Sequence, residues 1–319
     1  MSLYQHFFGL DEEPFRITPD PAFLFLSKNH KEAFAHLFYG LRGRSGFIAM
    51  TGEVGSGKTT VLRSLFNQLD SEAYRLAYIF NPTLTPEEML HVICQEFSLD
   101  HLGKSRALLF DGLNRFLLTE NAAGRTVVLV IDEAQNLGTE ALEQVRLLSN
   151  LETDKDKLIQ IILVGQPELG FLLERTELRQ LNQRISVRFH LDALDFEDSM
   201  AYVRHRLKLA GSPNPDLFTH RGLKKIYDFS EGYPRLINLV CDRAMLIAYT
   251  RESRRIGWGI VRDAVRELGG AFFTGARMGR LLPVIGLAAA LFFSIGLLIG
   301  NHFRNSEPSA APRGISGKR

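Results

Sequence analysis

A chain of 319 residues, 45% hydrophobic and 23% charged, has room for one large folded domain and a smaller one. Its net charge of +2 gives no general attraction for nucleic acid, and its two cysteines, Cys94 and Cys241, exclude a disulfide framework. The opening MSLYQHFFGLDEEPF is not a secretory leader, because Asp11, Glu12 and Glu13 stand where an apolar run would be needed.

Residues 1–45 read as a loop-rich segment, broken by Pro14, Pro19 and Pro21, that ends in a helix through HKEAFAHLFYGL. The apolar run GFIAM, residues 46–50, predicts a buried strand. Helical spacing of Leu62, Leu65, Phe66 and Leu69 follows. RLAYIFNP predicts a second strand; PEEMLHVICQEF, with Pro86 and acids in its first turn, and SRALLFDGLNRFLLTEN predict two helices. TVVLVIDEAQ is apolar enough for a central strand of a parallel sheet. GTEALEQVRLLSNLE then reads as a helix, and LIQIILVGQPEL and ISVRFHLDAL as the fourth and fifth strands. This alternation over residues 46–194 predicts an α/β core whose ligand lies at the carboxyl ends of parallel strands.

Beyond Leu194 the alternation stops. Residues 195–270 predict a helical lid, its first helix capped by Asp195 and closed by Gly211. After a linker, 271–280, residues 281–300 (LLPVIGLAAALFFSIGLLIG) carry no charge and only Ser294 as a polar side chain. As a helix they would span roughly 30 Å, the thickness of a bilayer core, so they predict a single transmembrane helix. Gly286, Ala290 and Ser294, with Gly296 and Gly300, place small residues at the spacing that lets membrane helices approach. Residues 301–319 are polar and rich in Pro, Ser and Gly, and are expected to be disordered.

The chemistry lies between the strands and helices. GEVGSGKTT, residues 52–60, follows a strand, opens a helix and fits G-x-x-x-x-G-K-[ST]. Gly52, Glu53, Val54, Gly55, Ser56 and Gly57 form a loop whose backbone N–H groups can cradle a polyphosphate at the helix N-terminus. Lys58 is expected on the β- and γ-phosphates, Thr59 on Mg²⁺, and Thr60 completes the binding set. Asp132 ends the third strand, where it can hold the metal or its waters, and Glu133 stands next to it as the general base for attack on the γ-phosphate. The expected reaction is hydrolysis of ATP in the presence of Mg²⁺. Gln166 ends the fourth strand and is a candidate to orient the attacking water. Arg179 and Arg184, in LRQLNQRI, are candidates for an arginine finger acting on a neighbouring copy, with Arg184 preferred. Arg235, in EGYPRLIN, sits at the first turn of a lid helix, within reach of the γ-phosphate. The nine histidines are scattered and none has metal-ligand spacing. Charges flanking residues 281–300 barely decide an orientation; nucleotide is cytoplasmic, so the core is expected on that side and the short tail outside.

GEVGSGKTT, VIDEAQNL, LVGQPEL, LRQLNQRI and EGYPRLINLVCDRA, in that order, with the opening FFGLDEEPFRITPDPAFLFLS, resemble the AAA+ ATPases of the general secretion pathway protein A family over about residues 1–270. The resemblance implies a P-loop AAA+ core with a helical lid and an oligomeric, inner-membrane ATPase. It also implies a membrane partner and a task in assembling an envelope-spanning secretion, pilus or exopolysaccharide export machine. It supports the roles given to Lys58, Thr59, Asp132, Glu133, Gln166 and Arg235. Many members carry a peptidoglycan-binding domain after the membrane span, so the short segment 301–319 predicts a short form. A second reading is a regulatory AAA+ ATPase of the transposition type, acting on DNA-bound partners. The membrane span and the lack of a strongly basic domain speak against it, and no direct nucleic-acid binding is expected. A third is a nucleotide-dependent scaffold with slow turnover.

Overall fold

The computed structural model describes residues 3–18, 21–80, 83–153 and 156–272. The expected linker, membrane span and tail beyond Phe272 lie outside the described residues, with all the small residues of the span. Among the described residues no helix is long and apolar enough to cross a membrane.

In chain order the elements begin with α1 (Gln5–Phe8), a 3₁₀ turn at Pro21–Phe23, α2 (Lys28–Arg42), β1 (Phe47–Gly52), α3 (Lys58–Gln68) and β2 (Tyr74–Phe80). They continue with α4 (Pro86–Glu96), α5 (Arg106–Ala122), β3 (Thr126–Asp132), α6 (Thr139–Leu148), β4 (Ile159–Gly165), α7 (Pro167–Leu173), α8 (Arg179–Arg184) and β5 (Ile185–Leu191). Among the described residues four more helices follow, α9 (Phe196–Leu209), α10 (His220–Ser230), α11 (Pro234–Thr250) and α12 (Trp258–Phe272). The chain divides into two compact units, Met1–Ala264 and Val265–Arg319; of the second, only the last turns of α12 are described.

The five strands form one parallel sheet in the order β2-β3-β4-β1-β5. The middle place belongs to β4; β3, read from its apolar run as central, is second from the edge and paired on both sides. Both strands are buried almost throughout, so an unbroken apolar run marks an interior strand without ranking it.

Because successive side chains point to opposite faces, each strand feeds two cores. Ala49, Leu129, Ile131, Ile161 and Leu163 pack with the apolar faces of α4, α5 and α6. Their sequence neighbours Ile48, Met50, Val128, Val130, Ile162 and Val164 pack with Ala33, Leu37 and Leu41 of α2 and Val61, Leu62 and Leu65 of α3. The result is a three-layer α/β sandwich. Cys94 and Cys241 are buried free thiols in helices.

The helical region after β5 starts as the sequence indicates. Asp195 accepts a 2.7 Å hydrogen bond from the Asp198 amide, Thr219 caps α10 in the same way, and Pro234 occupies the first turn of α11. The N-terminal segment folds onto these helices: Arg206 of α9 donates to the Pro14 carbonyl and Tyr4 to Asp242. The helix α1 was not foreseen, since four residues are too few to show a period.

Candidate nucleotide site

At the carboxyl edge of the sheet, β1 runs into the glycine-rich loop and α3 starts at Lys58, with Gly57 as its N-cap at φ +104°. The loop places the α3 N-terminus, with its unsatisfied N–H groups, at the mouth of a cleft of about 590 Å³. Val54, Lys58, Thr59, Tyr78, Glu133 and Arg235 stand on its walls.

Lys58 is buried, and its Nζ donates to the carbonyls of Gly52 (2.7 Å) and Glu53 (3.1 Å). Burial pushes its ammonium pKa down, while the carboxylates of Glu133, Asp132, Glu53 and Glu168 push it back up. Ser56 is fully buried and its Oγ has no hydrogen-bond partner. Thr59 Oγ1 lies 3.4 Å from Asp132 Oδ2, which also accepts from the Tyr78 hydroxyl at 2.8 Å; the Glu133 amide donates to Oδ1 at 2.9 Å. Burial raises the Asp132 pKa, against the pull of those two donors. The Tyr78 phenol is pushed well up by burial and by its bond to the carboxylate.

Glu133 adopts left-handed backbone geometry at φ +55°, a conformation rarely taken by a residue with a side chain. Its carboxylate is held from two sides. Gln135 Nε2 donates to Oε2 at 2.6 Å, and Gln166 Nε2 donates to the same oxygen at 3.1 Å. Gln135 closes the network by accepting from the Gln166 amide at 3.1 Å. Gly165 makes room for it, since a Cβ there would lie 2.5 Å from Gln135 Oε1.

The fold therefore brings Lys58, Thr59, Asp132, Glu133 and Gln166 together, and sets Arg235 on the same cleft, beside Gly55. Arg179 and Arg184 do not line the cleft. Arg179 is exposed on α8, whereas Arg184 Nη1 donates to Ser149 Oγ at 2.6 Å within its own chain. Reading the sequence missed Tyr78 and Gln135. Gln135 was signalled only by lying two residues after Glu133. Tyr78 had no local signal, because its partner Asp132 lies 54 residues further along the chain.

The donor set suits a hard divalent cation. Thr59 and Asp132 offer oxygen ligands at one point, and among the described residues no cluster of three His, Cys, Asp or Glu competes as a closed metal cage. A cation that takes its remaining oxygens from water and phosphate fits such a sparse set.

A phosphate loop after β1 of a parallel sheet, an acidic pair at the end of β3, with β4 between the two strands, and a helical region that follows define an AAA-type nucleotide-binding protein. The AAA domain family matches residues 41–173. Over 295 residues the chain is 47% identical to general secretion pathway protein A of Aeromonas hydrophila, covering 92% of this chain and 53% of that protein. The chain is a general secretion pathway protein A-like AAA protein, and spans about half the length of that relative. Among solved structures it is similar to Aeropyrum pernix ORC2 in its ADPNP–ADP complexes (TM-score 0.60, 19% identity, 81% of this chain and 71% of that one). It is also similar to Drosophila ORC bound to DNA (TM-score 0.61, 20% identity, 88% and 70%) and to Cdc6p from Pyrobaculum aerophilum (TM-score 0.59, 18% identity, 78% and 71%). At these identities the likeness is one of fold.

Proposed function

We propose that this protein is a membrane-anchored ATPase that powers or regulates assembly of an envelope-spanning secretion, pilus or exopolysaccharide export machine. The observation that carries the chemistry is the meeting of the Thr59–Asp132 pair with a Glu133 carboxylate gripped by Gln166. Lys58 and the loop amides hold the β- and γ-phosphates of ATP, and Thr59 and Asp132 hold Mg²⁺ or its waters. Bound there, Mg²⁺ neutralises charge shared between the two phosphates. Glu133 accepts the proton of the water that attacks the γ-phosphorus, the bond to the β-phosphate oxygen breaks, and ADP and phosphate leave. Gln166 orients that water, and Arg235 couples the γ-phosphate to the α9–α12 helices. Arg179 or Arg184 completes the site of a neighbouring copy in a homo-oligomer.

The assembly role is supported by the 47% identity to general secretion pathway protein A, and anchoring by the uncharged segment 281–300. On this reading the protein sits in a bacterial inner membrane, with the ATPase domain cytoplasmic and residues 301–319 periplasmic.

A trap variant tests the whole reading. Glu133→Gln should bind ATP, turn it over very slowly and so retain partners. Expressed at native level and extracted with mild detergent, it should bring down an inner-membrane protein with secretin or pilus components. Recovery from the soluble fraction with DNA-bound proteins would favour the transposition-type regulator instead.

A further inference from the structure

His30, on the first turn of α2, is buried with 2% of its surface exposed, far in sequence from the loop it touches. Its amide donates to Ser27 Oγ at 3.2 Å, and the same hydroxyl lies 2.6 Å from ring Nδ1. The other ring nitrogen, Nε2, faces the Ser56 carbonyl, which can only accept, so in the neutral ring Nε2 is the donor and Nδ1 accepts the Ser27 hydroxyl proton. Nε2 lies 3.0 Å from the Ser56 carbonyl, in the middle of the phosphate loop. The ring also fills the space a side chain at position 57 would need: a Cβ on Gly57 would meet Nε2 at 2.3 Å.

We propose that His30 is a positioning residue for the phosphate loop, fixing the Ser56 carbonyl and the Gly57 turn so that the loop amides are set before a polyphosphate arrives. The inference rests on the nucleotide reading of this loop. Glycine-rich loops lose much backbone freedom on ordering, and a loop already held loses less when ligand binds. Lys58 follows Gly57 directly, so movement of this turn would displace the ammonium as well. Burial keeps the ring neutral by lowering its pKa, against the raising pull of Asp198 on α9 and the Ser56 carbonyl; Arg63 of α3 and Arg206 of α9 stand on the same small cavity.

The test uses the full-length chain in detergent, with calorimetric titration by MgADP, steady-state ATP turnover and thermal unfolding without nucleotide. His30→Ala leaves the Ser56 carbonyl without its donor, which should raise both the Kd for MgADP and the KM for ATP about tenfold, with kcat changed less than about twofold. His30→Gln carries an amide nitrogen at the reach of Nε2 and should restore most of the affinity. His30→Asn carries its nitrogen only at the reach of Nδ1 and should not. Unchanged affinity in His30→Ala overturns the inference, as does equal affinity of the Gln and Asn variants even if both unfold earlier than wild type. Failure of the wild type to bind nucleotide would overturn the site reading as well.

Discussion

Replacing Gln135 by alanine isolates the grip on the Glu133 carboxylate. Two hydrogen bonds are lost, one to the carboxylate at 2.6 Å and one from the Gln166 amide at 3.1 Å. A bond to a charged group contributes about 1.5–3 kcal/mol and a neutral one about 0.5–1.5. Water replaces part of this at a half-buried site. The Glu133 backbone, left-handed at φ +55°, stays in place only while its surroundings hold it, at a cost of order 1–3 kcal/mol. If about 1.4–2.8 kcal/mol of the lost restraint appears in the transition state, kcat falls about 10- to 100-fold. In the proposed mechanism Glu133 acts on water rather than on the nucleotide, so KM should stay within about twofold. Steady-state phosphate release gives both constants. A double-mutant cycle with Glu133→Gln should show that the second substitution adds little once the first is present. Unchanged kcat in Gln135→Ala, or fully additive losses, would refute the argument that Gln135 works through Glu133.

Three other outcomes follow from the geometry. Tyr78→Phe removes the 2.8 Å donor to Asp132 and should raise the Mg²⁺ concentration for half-maximal turnover about tenfold; an unchanged Mg²⁺ titration would make Tyr78 a packing residue only. Turnover per subunit should rise with protein concentration. Arg179→Ala should flatten that rise while ATP binding persists, since Arg184 is already held by Ser149; a flat wild-type dependence would remove the idea of a finger acting in trans. The depressed pKa of His30 means that its contribution to stability is fully present above the unfolded value of about 6.5, and is lost as pH falls through the lower folded value. Unfolding temperatures from pH 8 to 5 should therefore drop more steeply for wild type than for His30→Gln, and parallel curves would contradict it.

Much of this architecture was legible in local pattern. Strands β3 and β4 are uninterrupted apolar runs because both of their faces are buried, and Asp195 and Pro234 marked helix starts through backbone chemistry that acts over one turn. The phosphate loop declared itself because glycine spacing is itself the mechanism. Strand order was not legible, since the sequence of β3 does not record which neighbours it pairs with. The supports of the site were hidden for the same reason. Tyr78 reaches Asp132 across 54 residues, and His30 reaches Ser56 across 26. A lone tyrosine or histidine carries no spacing that announces such a partner. The preference for Arg184 over Arg179 likewise could not anticipate Ser149, 35 residues away.

The central claim is that Asp132 and Glu133 complete a hydrolytic site around the loop at Lys58. The most direct test compares purified wild-type chain with Glu133→Gln, measuring MgATP binding by calorimetry and phosphate release on the same samples. The account predicts equal binding within about twofold, with turnover in the variant lowered at least about 100-fold, as expected for loss of a general base. Equal turnover in the two proteins would contradict it, and so would loss of binding in the variant.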